Sequence, residues 1–140
     1  MVVKIGELGE KAVILWLEKK QCKILYHQWH CRWGEIDIIA LEKKSRNLVF
    51  IEVKTRKSYN WDENGLLAID YRKQEKIRLV SEIFLSKNTS FINHNCRFDA
   101  ALVTYRSVSK LPIEDGDCNV NNVLLNGYQF TIHNYIEDAF

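Results

Sequence analysis

Two runs of this chain combine what a buried strand needs with what it excludes. Ile36-Asp37-Ile38-Ile39-Ala40-Leu41 and Val49-Phe50-Ile51-Glu52-Val53-Lys54 are apolar enough to be covered on both faces, yet the first carries a carboxylate and the second a carboxylate and an ammonium. An unpaired buried carboxylate costs several kcal/mol, so any fold that buries these strands must also supply partners or a cation. The charged positions therefore mark a candidate site.

The spacing adds a geometry. Lys43-Lys44-Ser45-Arg46-Asn47, between the runs, has the length and chemistry of a hairpin connection. With a tight turn centred on Lys44 and Ser45, antiparallel pairing sets Asp37 opposite Glu52 and Glu35 opposite Lys54. Side chains alternate with a period of two, so one sheet face would carry these three carboxylates and the lysine. Two carboxylates with Cβ atoms about 5 Å apart repel each other unless one is protonated or a hard cation lies between them. Oxygen donors of this kind suit Mg²⁺ or Mn²⁺ rather than zinc. A plainer alternative stays open: Glu35 with Lys54 as an ordinary cross-strand ion pair, Asp37 capped by backbone donors, and Glu52 solvated at an edge. A register one residue different would turn Glu52 and Lys54 away from Asp37.

At 140 residues, with one proline (Pro112) and no linker-like, repeated or low-complexity stretch, the expectation is a single domain over residues 1–140. The start lacks the pattern of a signal peptide, and no stretch approaches the roughly 20 apolar residues of a membrane span. A cytoplasmic protein with no membrane partner is expected, and Cys22, Cys31, Cys96 and Cys118 then read as free thiols. His27, His30 and Cys31 lack the second ligand cluster that a zinc site would need. The net charge of +2 is small but uneven: ten Lys and Arg stand against five Asp and Glu between Lys43 and Arg78, whereas Leu111 to Phe140 holds five acids and no Lys or Arg. The basic half contains the candidate site, as a phosphate-rich polyanion would require, although a solvated helix face accounts equally well for Arg72 to Arg78.

Helical periodicity predicts a helix over Gly6 to Lys20, with Glu7 favoured by the helix dipole and Glu10 left without that explanation. A short strand, Lys23 to Gln28, and a connection, Trp29 to Gly34, precede the hairpin. Arg56 to Gly65, with Trp61, reads as a polar loop able to cover a site. A second helix is expected from about Ala68 to Ser86, strands at Phe98 to Tyr105 and Tyr128 to Asn134, and an irregular polar excursion from Ser107 to Asn126. The order of elements points to an α/β fold around a central mixed sheet.

Taken in order, the motifs resemble those of the PD-(D/E)xK nuclease superfamily, an acid on one strand and E-x-K on the next. More narrowly, the chain resembles the UPF0102 (YraN) family of small bacterial proteins, which are similar to Holliday junction resolvases. The likeness runs through Gly6-x-x-Gly9-Glu10-x-Ala12, Gly34-Glu35-Ile36-Asp37-Ile38-Ile39-Ala40, Val49-Phe50-Ile51-Glu52-Val53-Lys54-x-Arg56, Ala68-Ile69-x-x-x-Lys73-Gln74, Arg97-Phe98-Asp99 and Ala139-Phe140. It implies a restriction-endonuclease-like mixed β-sheet flanked by helices, with Asp37 and Glu52 as ligands of Mg²⁺ or Mn²⁺ and Glu10 as a further acid from the first helix. It also implies Lys54 as the catalytic lysine and Lys73 as a basic helix residue near the scissile phosphate. The family usually has Arg near the position of His30, so one phosphate contact is weakened here.

The implied activity is metal-dependent hydrolysis of a phosphodiester in nucleic acid, DNA favoured over RNA, by a homodimer in the junction-resolving case. The Val53 carbonyl would join the metal ligands, Lys54 would orient the attacking water, and Arg56, Lys57, Lys73 and Lys76 would contact backbone phosphates. Trp29, Trp33 and Trp61 are candidates for stacking on splayed bases, with packing as the alternative. A module that binds nucleic acid or protein on the same scaffold without turnover is the rival reading.

Overall fold

The structure, a computed structural model, describes residues 4–57, 69–108 and 121–140. Of the polar loop expected over Arg56 to Gly65, Arg56 and Lys57 instead extend a strand, while the rest with Trp61 and Gly65, the expected helix start at Ala68, and Pro112 and Cys118 lie outside the described residues. Helix α1 spans Ile5–Lys19 and buries Leu8, Ala12, Val13, Trp16 and Leu17, a stripe at three- and four-residue steps. It stops where Gln21 takes a left-handed φ of 68°.

Strand β1 spans Cys22–Cys31, longer than expected. Trp29 lies opposite Ile36 and His30 opposite Glu35 of strand β2, Gly34–Glu42, so the connection predicted over Trp29 to Gly34 shrinks to a turn at Arg32 and Trp33. Gly34 makes so tight a turn feasible with a φ of +151°, a region open mainly to glycine. Strand β3, Leu48–Lys57, returns antiparallel to β2, with Leu41 opposite Leu48 and Ile38 opposite Ile51. Between them the turn closes through Arg46 at a φ of 66°, whose N–H donates to the Glu42 carbonyl at 2.9 Å.

Helix α2, Tyr71–Lys87, carries the chain from β3 to the parallel strand β4, Cys96–Ser107. Asp70 caps it, its carboxylate accepting the Lys73 N–H at 2.9 Å. Strand β6, Tyr128–Ile136, pairs antiparallel with β4. Beyond it lies β5, Asn122–Leu125, at the end of what the sequence suggests is an irregular excursion. A single fully buried side chain, Val123, anchors that short strand, and Asn126-Gly127, at φ 51° and 79°, turns it into β6.

Among the described residues the strands form one six-stranded mixed sheet in the order β1-β2-β3-β4-β6-β5. The α/β architecture expected from the sequence is the one observed, with a helix on either face. Ile38, Ala40, Val49, Ile51 and Val53 pack toward α1, whereas Ile39, Leu48 and Phe50 pack toward Ile77, Val80 and Phe84 of α2. Covering both faces explains why β2 and β3 read as nearly continuous apolar runs.

The middle of the sheet is tied to the end of β6 by Arg97. It donates to Asp99 at 2.8 and 3.0 Å and to Glu42 at 3.1 Å through two nitrogens, while the fully buried Asp99 also accepts the Tyr135 hydroxyl at 2.6 Å and the Asp138 N–H at 3.0 Å. Among the described residues no helix is long and apolar enough to cross a membrane.

Candidate active site

The site lies where the β2–β3 ladder ends. Recorded pairing stops at Ile38 and Ile51, and the next positions in that frame are Asp37 and Glu52. Here a side chain replaces a backbone acceptor: the Val53 N–H donates to Asp37 Oδ2 at 2.8 Å. Both acids are buried, Asp37 at 7 % and Glu52 at 6 % relative exposure.

Burial first, then repulsion from Glu52 and Glu10, pushes the Asp37 carboxyl up to about 8, with the Val53 N–H opposing and a carboxyl–carboxyl hydrogen bond to Glu52 adding to the rise. A carboxyl pushed up this far takes a proton more readily than a solvated one, which relieves its repulsion with Glu52.

Glu52 is ion-paired to Lys73 in the first turn of α2. Lys54, two residues beyond Glu52 on the same side of β3, has its amine beside that of Lys73. Burial, then the Lys73 ammonium, holds the Lys54 amine below the usual lysine range, with Glu52 pulling the other way. For Lys73 burial acts downward, but the Glu52 hydrogen bond and charge win and its amine is raised.

Glu10 comes from α1 and faces β1, where its Oε1 lies 2.9 Å from His27 Nε2. Burial raises its carboxyl, and His27, through both hydrogen bond and charge, brings it part of the way back. Gln28 also hydrogen-bonds Glu10, and it does so from a left-handed φ of 56°, at the β1 position opposite Asp37 that the recorded pairing skips. A non-glycine residue held there carries backbone strain of about 1 kcal/mol.

The model of the uncharacterised protein family UPF0102 matches residues 9–103, a span that holds Glu10, Asp37, Glu52, Lys54 and Lys73. The chain belongs to that family. It is 41 % identical over 155 aligned residues to a UPF0102 protein of Acaryochloris marina, covering 99 % of this chain and 90 % of the relative. A UPF0102 protein of Nostoc sp. is 39 % identical over 141 residues, covering 99 % and 94 %. One from Thermosynechococcus vestitus is 47 % identical over 102 residues, covering 73 % and 82 %.

In this UPF0102 chain the fold gathers Glu10, Asp37, Glu52, Lys54 and Lys73, but not in the arrangement the hairpin alone predicts. Glu35 is exposed and sits opposite His30 of β1, and the expected pairing with Lys54 does not form because the β2–β3 pairs end at Ile38 and Ile51. The physical reason is that β2 leaves β3 at Asp37 while staying paired with β1 to the turn. Arg56 and Lys57 stand exposed at the end of β3, where an Arg56 nitrogen donates to the Thr55 carbonyl at 3.0 Å. Lys76 is exposed one turn beyond Lys73, its stem passing close to Gly34.

Trp29 packs edge-on against Phe84 with ring centroids 5.2 Å apart, so for this tryptophan packing prevails over base stacking. Trp33 is 55 % exposed with the Arg32 guanidinium 5.2 Å from its ring. A broad hollow of about 860 Å³ between Lys20, Gln21 and Lys43 to Ser45 lies at the far end of the hairpin from the acids.

Two residues of the site, His27 and Gln28, carry no local signal of this role. A histidine and a glutamine in a half-buried strand look like surface residues until α1 is laid across them. As for a metal, no group of three or more His, Cys, Asp and Glu side chains among the described residues is placed to hold an ion. The carboxyls that do converge are the pair Asp37 and Glu52, with Glu10 held by His27. Such a pair of hard oxygen donors, mutually repelling and shielded from bulk water, fits Mg²⁺ or Mn²⁺, ions that keep several waters and take few protein ligands.

Proposed function

We propose that this UPF0102 protein is a metal-dependent nuclease of the PD-(D/E)xK kind, hydrolysing phosphodiester bonds in nucleic acid, with DNA favoured over RNA. The observation that carries the reading is the buried Asp37–Glu52 pair with Lys54 two residues along the same strand. A structural role alone gives no reason to keep two carboxyls so close that one must stay protonated. Asp37 and Glu52 would hold Mg²⁺ or Mn²⁺, with Glu10 supporting them from α1. When bound, the ion supplies Lewis-acid stabilisation of phosphoryl charge and a lowered pKa for its water.

The chain's own residues do the rest. Lys54 Nζ orients the attacking water and offsets developing negative charge, and its depressed basicity suits it to give up a proton more readily than a solvated lysine. Arg56, Lys57 and Lys76, exposed on the ends of β3 and α2, provide phosphate contacts that position the backbone without reading sequence. A twofold dimer would place two such sites for paired nicks in a branched substrate, and a cytoplasmic location goes with this reading.

A second reading has its own observation. Glu52 is already neutralised by Lys73, so the same scaffold can exist as a binding module without turnover. Incubating purified protein with branched, flapped, single-stranded and duplex DNA, and with RNA, in Mg²⁺ or Mn²⁺ separates the two. Cleavage that disappears in Asp37→Ala and Lys54→Ala supports the nuclease. Tight binding with no product under either metal supports the module.

A further inference from the structure

We infer that Lys73 is an internal stand-in for the divalent ion, a tethered cation that neutralises Glu52 until metal displaces it and releases its ammonium toward the phosphate of the substrate. The inference rests on Asp37 and Glu52 being the metal ligands, and adds a competitor built into the site.

Three observations carry it. Glu52 is 6 % exposed and cannot be solvated, so its charge has to be balanced from within, and the balancing group is Lys73. Lys73 stands where little else favours a cation. It occupies the first turn of α2, where the helix dipole repels positive charge and the Asp70 carboxylate at the cap is engaged with the Lys73 backbone N–H, and it lies beside a second ammonium, Lys54. The contact with Glu52 offsets both repulsions. Finally, the Lys73 side chain is 38 % exposed at the end of a flexible four-carbon stem, so it can leave Glu52 for solvent or substrate without unfolding α2.

The Lys73 ammonium sits on Glu52 Oε1, so a divalent ion that takes that oxygen competes with it. Metal binding therefore includes ejecting Lys73, and affinity is lowered by whatever that ion pair is worth. Once ejected, the ammonium stands next to Lys54 with no carboxylate of its own, a favourable position for an incoming phosphate. A lysine present only for structure would support the site with metal bound and absent alike.

Mn²⁺ titration of metal-stripped full-length protein, followed by calorimetry without nucleic acid, distinguishes these cases for the parent and Lys73→Met. The expected result is about tenfold or greater tightening in Lys73→Met, the size of a typical coupling between competing ligands, and a larger rise of Tm on adding Mn²⁺. Equal or weaker affinity in Lys73→Met, with the parent binding, overturns the inference and leaves the metal site standing. No Mn²⁺ binding by either protein overturns both. Because Lys73→Met leaves the buried Glu52 without its cation, side-chain NMR of the parent provides an independent test: on Mg²⁺ addition the Lys73 Nζ resonance should lose its ion-paired shift as the Asp37 and Glu52 carboxyl signals move. A Lys73 signal that stays put while those carboxyls respond also overturns it.

Discussion

Gly9 of α1 lies flush against Thr55 of β3: a Cβ added to Gly9 would come 2.1 Å from Thr55 Oγ1 and 3.1 Å from its Cβ and Cγ2. The approach sets the depth of α1 on the sheet and hence the reach of its neighbour, Glu10. Because the clash is with a β-branched side chain fixed in a strand, Gly9→Ala must lift the helix. A loss of about 1–3 kcal/mol in denaturant unfolding is expected, with Thr55→Ala in the same chain restoring most of it. An unchanged unfolding midpoint in Gly9→Ala would show that the helix does not rest on this contact.

The Asp37 carboxyl, at about 8 in the folded protein against an ordinary 3.8, gives stability an unusual pH dependence. Between those values the folded chain holds a proton that the unfolded chain has released. This contribution is most favourable near pH 4 and is lost as pH rises toward 8. Asp37→Asn cannot ionise and keeps an acceptor for the Val53 N–H, so it should raise stability at pH 8 by on the order of 2 kcal/mol and change little at pH 4.5. Thermal melts of both proteins at the two pH values check this; equal differences at both would refute it.

His27 restrains the rise of the Glu10 carboxyl. Replacing it by alanine should push Glu10 further up, seen as a higher midpoint in a carbon-13 titration of the side-chain carboxyl. The pair is partly exposed, so the accompanying loss of stability should stay at about 1 kcal/mol or less. A Glu10 midpoint that does not move in His27→Ala would mean the contact is incidental.

Arg97→Met should be the most disruptive of these changes. It leaves Asp99, fully buried, without its guanidinium, and leaves Glu42 at the hairpin turn with only Ser45 and Asn47 as side-chain donors among the described residues. A loss of about 3–5 kcal/mol is expected, against about 1–2 kcal/mol for Tyr135→Phe, which removes one hydroxyl from the same carboxylate. Similar unfolding midpoints for the two variants would indicate that Arg97 is not the centre of the network.

Much of this arrangement can be read along the chain because it is local. The polar turn at Lys43 to Asn47 and the two-residue period set the β2–β3 frame, which brings Asp37 level with Glu52. The unreadable parts depend on distant contacts. Nothing in Trp29-His30-Cys31 says that β1 continues, because its pairing is decided by where β2 begins, at Gly34. Nothing near Glu35 says that β2 parts from β3 at Asp37, so the third acid comes from α1 instead. Composition leaves Lys73 as one cation among several on a basic helix; the resemblance singles it out near the scissile phosphate, and only the docking of α2 brings it to Glu52. Strand β5 is hidden because four residues with one buried side chain are too short a pattern to stand out from a polar stretch.

The parallel pairing of β3 with β4 has a bearing on how the molecule is made. Strands β1, β2 and β3 can zip together through near-neighbour contacts, whereas β4 reaches β3 only after the whole α2 crossover has been threaded, a slow long-range closure. Lys73 rides on that crossover, so its ammonium arrives at Glu52 late. A nascent meander would then hold its two acids wet and charged, and sealing them away becomes part of the final step of folding.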